Sequence, residues 1–166
     1  LLAASLALLL SSILVLRLSG GVDPAAVYDQ YFEAYPDYIT KMSVGNTDSN
    51  LRSGMLAYNQ ENWSEVVVQL PQVSEQNPYY YLTRIYLGIS YLKQDQEALA
   101  RSSFQQVIDQ GPKKLKGNGY WFLGMTQLKQ GKTEAAISNL ETAATMDSAR
   151  EATLREIREA LEQVKD

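Results

Sequence analysis

Few groupings in this chain of 166 residues have the residue types and spacing that chemistry requires. Gly131-Lys132-Thr133 has the ending of a phosphate-binding loop, where backbone amides cradle a phosphate and a lysine neutralises it. The glycine that opens such a loop would stand at position 126, which is Thr126. The triplet therefore reads as a helix-hairpin turn with Thr133 as N-cap. Asn62-Trp63-Ser64 has the form of a glycosylation acceptor, but it falls in a polar turn, with Trp63 directed to a core. Lys113, Lys114 and Lys116 make the only basic cluster. It reads as a solvated connection, with contact to an acidic partner or to lipid head groups as the alternative.

The chain has no Cys and no His. Disulfides, thiolate ligands and thiol nucleophiles are excluded, and so are the usual neutral-pH base and the commonest metal ligand. No carboxylates are paired at a spacing that suggests acid/base work. A non-enzyme without metal or cofactor is expected, with no catalytic residue. Lys plus Arg is 15 against 19 Asp plus Glu, a net charge of −4. That balance argues against nucleic acid, which needs a basic face to neutralise phosphates. Eleven Tyr against three Phe suit surfaces that bury one end of an aromatic ring.

Leu1 to Leu16 carry no charge, and Arg17 is the first ionised residue. Sixteen to eighteen uncharged residues lie at the lower limit for crossing a bilayer. A transmembrane anchor over 1–18 is expected, with a signal peptide as its rival. The chain opens without Met, and upstream residues are expected to complete the span. From Leu18 to Thr40 there is no Lys or Arg, which places the C-terminal part on the extracytoplasmic side.

Residues 19–46 read as a linker with a short Tyr-rich helix. Asp23-Pro24 supplies an N-cap and a proline at the first helical position. The helix should run to about Tyr35 and end at Pro36, with Val27, Tyr28, Tyr31, Phe32 and Tyr35 on one stripe. Lys41 to Asn50 reads as a loop.

A repeat occupies 47–148. Gly54, Gly88 and Gly124 are spaced by 34 and 36 residues. Twelve residues beyond each glycine stand Val66, Ala100 and Ala136. Sixteen beyond stand Leu70, Phe104 and Leu140, and nineteen beyond Val73, Val107 and Ala143. Polar turns lie between, and Pro71 should kink the second helix of the first unit. Helices are predicted at about 47–60, 64–76, 79–93, 97–110, 117–130 and 133–146, with no sheet. Ser148 to Glu151 reads as a capping box opening a C-terminal helix over 149–166, whose apolar stripe is Leu154, Ile157, Leu161 and Val164.

This spacing of small and bulky positions resembles the tetratricopeptide repeat (TPR) family over Thr47 to Ser148. The resemblance implies a three-unit TPR α-solenoid; with the N-terminal transmembrane helix and the C-terminal capping helix read above, an all-α chain is expected. It also implies a concave face lined by the first helix of each unit. Carried onto this chain, the partner-binding groove is Met55 and Tyr58, then Leu82, Ile85, Ile89 and Leu92, then Trp121, Met125 and Leu128. The groove is apolar, so its occupant is either the chain itself, through the Tyr-rich or the C-terminal helix, or an external peptide or helix. Asn59, Lys93 and Lys129 alone have the type that clamps a terminal carboxylate in some members.

The layout resembles bacterial membrane-anchored TPR proteins. It implies a scaffold or accessory subunit that binds protein partners in a larger membrane complex, through the groove or the membrane helix. A single-pass protein of the bacterial inner membrane, in contact with the lipid bilayer, is the expected location. A membrane-linked regulator of anti-sigma type, its effector lying upstream of Leu1, is the alternative.

Overall fold

Small residues facing large ones set how closely consecutive helices approach, and in this chain that pairing recurs three times. The computed structural model describes residues 22–42 and 48–162. Helix α1 (Pro24–Tyr31) and the short α2 (Ile39–Met42) precede three helix pairs. These are α3 (Ser49–Asn59) with α4 (Trp63–Gln69), α5 (Tyr80–Leu92) with α6 (Glu97–Gln110), and α7 (Lys113–Lys129) with α8 (Thr133–Met146). Helix α9 (Glu151–Glu162) closes the stack. The described residues are all-helical, without strands, and form a solenoid-like succession of hairpins.

A β-carbon on Gly124 would stand 2.7 Å from Leu140 Cγ and 3.0 Å from the Ala136 carbonyl oxygen. One on Gly88 would overlap the ring of Phe104, and one on Gly54 the side chain of Leu70. Glycine is thus the residue that lets each first helix reach its partner. The bulky residue sixteen positions on then fills the contact, and Leu70, Phe104 and Leu140 are fully buried. Each hairpin turns through a left-handed residue at the same repeat position: Glu61 (φ 55°), Asp95 (φ 55°) and Gly131 (φ 71°).

Pro71 stops α4 at Gln69 and the chain continues as a 3-10 turn, Leu70–Gln72. Proline has no amide hydrogen to continue the ladder. The buried Arg84 donates from Nη2 to the Leu70 carbonyl at 2.6 Å and stacks over the Tyr80 ring at 4.6 Å. Burial holds its guanidinium below its ordinary value.

Several expected boundaries move. Helix α1 stops at Tyr31 rather than Tyr35: Phe32 is already extended, and the Tyr35 and Pro36 carbonyls accept from tyrosine hydroxyls of the helix pairs instead of from helical amides. The basic cluster is not a connection: Pro112 caps α7, and Lys113, Lys114 and Lys116 form its first turn. Lys132, not Thr133, holds the cap position of α8. In place of a capping box, Asp147 accepts from the Ala149 amide at 3.2 Å and Ser148–Arg150 form a 3-10 turn. Leu154 and Ile157 of α9 are buried; Val164 lies outside the described residues.

The expectation of an N-terminal transmembrane helix, and of a single-pass bacterial inner-membrane location, is corrected. No helix among the described residues is long and apolar enough to cross a membrane. The longest of them, α7, has 17 residues and carries Lys113, Lys114, Lys116 and Lys129. Helix α1 has 8 residues, about 12 Å of rise against a hydrocarbon core of about 30 Å. Residues 1–18, on which the expectation rested, lie outside the described residues.

Candidate functional site

The first helices of the three pairs, α3, α5 and α7, carry the predicted groove, and the chain's own residues 24–38 lie across it. Asp23 caps α1 by accepting from the Ala25 amide at 3.0 Å, with Pro24 at the first position. Helix α1 then packs between α7 and α9. Val27 and Tyr28 are buried beneath it. The Phe32 amide still donates to the Tyr28 carbonyl at 2.8 Å; Phe32 itself is extended, and the backbone then runs without regular structure through Tyr38.

That strap is bound largely through its main chain. The Tyr58 hydroxyl donates to the Tyr35 carbonyl at 2.9 Å. The Tyr86 hydroxyl donates to the Pro36 carbonyl at 2.9 Å and accepts from the Tyr38 amide at 3.0 Å. Asn118 Nδ2 donates to the Tyr35 hydroxyl at 3.1 Å. The Asp37 carboxylate accepts from Asn59 Nδ2 at 2.7 Å and from the Thr40 amide at 2.9 Å. These bonds replace the helical ones the strap forgoes. Phe32 and Tyr35 meet the Phe122 ring edge-on at 6.2 and 6.0 Å, a favoured aromatic geometry.

Burial pushes the Tyr28, Tyr58 and Tyr86 phenols well above their ordinary value, which keeps Tyr58 and Tyr86 protonated as donors. Burial also raises Tyr35, against the opposing hydrogen bond from Asn118. Burial alone would raise the Asp37 carboxyl, but hydrogen bonds from Thr40 and Asn59 outweigh it and hold it low.

All of the predicted groove residues, Met55, Tyr58, Leu82, Ile85, Ile89, Leu92, Trp121, Met125 and Leu128, are buried. Trp121 is 8% exposed, and Arg150 stacks over its ring at 4.8 Å. Arg150 is held in turn by Asp147 at 3.1 Å and by the Asn118 side-chain oxygen. The three clamp-type residues also face the strap or its neighbours. Asn59 binds Asp37, Lys93 lies over the Phe32 ring at 5.1 Å, and Lys129 lies over Tyr28 at 5.4 Å while pairing with Asp95.

Tyr86 and Phe122 were not among the groove residues read from the sequence, yet both hold the strap. A signal existed: each stands two positions before a repeat glycine, Gly88 or Gly124. No group of acidic side chains among the described residues is placed to hold a metal ion. The arrangement can bind a segment of irregular backbone. Comparison with known protein families, with characterised proteins and with solved structures finds no match.

Proposed function

We propose that the chain is a non-enzymatic protein-interaction module of tetratricopeptide-repeat type, acting as a scaffold or accessory subunit of a larger complex. The observation that carries this reading is the recognition of residues 32–38 through their backbone. Tyrosine hydroxyls bound to main-chain carbonyls, with aromatic rings alongside, are the means by which a rigid concave surface holds an extended peptide. The repeat of Gly54, Gly88 and Gly124 with their bulky partners supports the family reading.

The test loosens the strap in the full chain with Phe32→Ala and Tyr35→Ala together. A fluorescently labelled peptide of residues 23–38 is then titrated by anisotropy. The expected result is saturable binding to the variant and much weaker binding to the native chain, whose groove is filled. A variant with native helical circular dichroism that fails to bind the peptide would overturn the reading.

A further inference from the structure

Where the strap leaves the groove, a cleft of about 510 Å³ opens beside it. Its walls are largely rings. Tyr35 and Tyr38 come from the strap, Pro78, Tyr79 and Tyr81 from the start of α5, and Pro112 and Leu115 from the start of α7. A second hollow of about 540 Å³ adjoins it, sharing Tyr35, Tyr38, Lys114 and Asn118 and adding Lys113, Met146 and Arg150. Tyr38, which borders both, and Met146, which borders the second, are exposed.

The charge of this region is opposite to that of the whole molecule. Against a net −4, the charged residues lining the two hollows are Lys113, Lys114, Arg150 and Asp147. Asp147 is already engaged by Arg150. Lys113 and Lys114 are exposed and make no ion pair among the described residues.

We propose that this cleft docks an extended, proline-containing acidic segment of a partner protein. A wall of tyrosine and proline rings suits the preformed polyproline II conformation, which binds without a large ordering cost. Lys113 and Lys114 at the rim match carboxylates on the ligand. The strap's own Tyr35-Pro36-Asp37-Tyr38 is a segment of this chemistry held next door through its backbone carbonyls and its carboxylate. The partner's segment would run on along the same track.

This inference rests on the reading of the chain as an interaction module, and strap-peptide capture reports on that reading separately. The experiment uses the full chain and a fluorescein-labelled dodecapeptide of alternating Pro and Glu. Peptides alternating Pro with Lys and Ser with Glu are the comparisons, together with vesicles containing anionic lipid. Saturable binding of the Pro–Glu peptide at least tenfold tighter than either comparison peptide is expected. Lys113→Glu with Lys114→Glu, and separately Tyr81→Ala, should each weaken it at least tenfold at unchanged melting temperature. Tyr38→Ser, at an exposed site, replaces Tyr81→Ala if that variant melts early. Absent Pro–Glu binding overturns the proposal, as does equal binding of Ser–Glu, which marks a bare charge patch. Preferential binding of the vesicles through the same lysines overturns it in favour of a lipid surface. Strap-peptide capture retained alongside any of these results leaves the interaction-module reading intact.

Discussion

The hydroxyl of Tyr86 donates to the carbonyl of Pro36, 50 positions earlier in the chain, and accepts from the amide of Tyr38. One fully buried side chain on α5 thereby satisfies two backbone groups of a segment with no regular structure of its own. Tyr86→Phe removes both bonds while keeping the ring. It should lower stability by about 1–3 kcal/mol in denaturant titration and speed hydrogen exchange at the Tyr38 amide. An unchanged midpoint with unchanged exchange would show that the strap is held by its rings alone.

Trp121→Ala should destabilise the fold by about 3–5 kcal/mol, the cost of emptying a large buried aromatic site. The indole is closed over by Arg150 and is not a free anchor for a partner. Thermal melting measures the loss, and a melting temperature within a degree or so of native would contradict this placement.

Gly124→Ala and Gly88→Ala each gain helix propensity but press a methyl group into Leu140 or Phe104, side chains that are fully buried. Overpacking of this kind costs about 1–3 kcal/mol, against a propensity gain of about 1 kcal/mol. Net destabilisation is expected in equilibrium unfolding, with Gly88 the worse because an aromatic ring cannot fold away. A stabilised variant would mean that the hairpins open more readily than their packing implies.

Glu61 occupies a left-handed turn position at φ 55° with an exposed side chain, where the third hairpin uses Gly131. The left-handed conformation costs an ordinary residue about 1–2 kcal/mol. Glu61→Gly should therefore stabilise the chain by about 0.5–1 kcal/mol after its extra unfolded-state entropy. Gly131→Ala should destabilise it by a similar amount. Chemical denaturation of the two variants side by side checks the sign.

The strap should respond to pH at both extremes. The Tyr58 and Tyr86 phenols are raised by burial above their ordinary 10.0. Their stabilisation is complete below that value and is lost as pH rises toward the higher folded values. Asp37 is held below its ordinary 3.8. Its contribution is present above that value and is lost as pH falls through the lower folded one. Unfolding free energy measured from acid to alkali should fall at both ends. Asp37→Asn should flatten the acid limb and Tyr58→Phe the alkaline one; limbs unmoved by these changes would assign the dependence to other groups.

The helix pairs were legible because a glycine and a bulky residue sixteen positions apart mark a close crossing, and Leu70, Phe104 and Leu140 carry that mark in all three pairs. The groove residues were legible as an apolar set, since Ile85, Ile89, Met125 and Leu128 recur at helical spacing. Periodicity names a face but not what covers it; the choice between the strap and an outside ligand lies in contacts such as Tyr35 against Phe122, which no spacing encodes. The extent of α1 was misjudged because a stripe continuing to Tyr35 is equally consistent with helix and with an extended chain whose rings alternate against a groove. The start of α7 was misjudged because Lys113 and Lys114 give no apolar signal. Their helicity follows from Pro112 and from Leu115 packing below.

Because Asn118 grips Tyr35 from 83 residues downstream, the strap is made well before its seat is complete: Tyr58 and Tyr86 stand 23 and 50 positions after the carbonyls they bind, and Asn118 later still. At ~5–20 residues per second, the interval before Asn118 is made is roughly 4–17 s. Through that time the aromatic segment around Phe32 and Tyr35 lacks the α7 part of its seat, while the hairpin α5–α6 can already assemble from local contacts, which form early. Full closure of the strap therefore waits for α7 and α9, although its residues precede every helix pair in the chain. A chaperone that shields exposed aromatics would find its substrate in that window and lose it when α7 and α9 arrive.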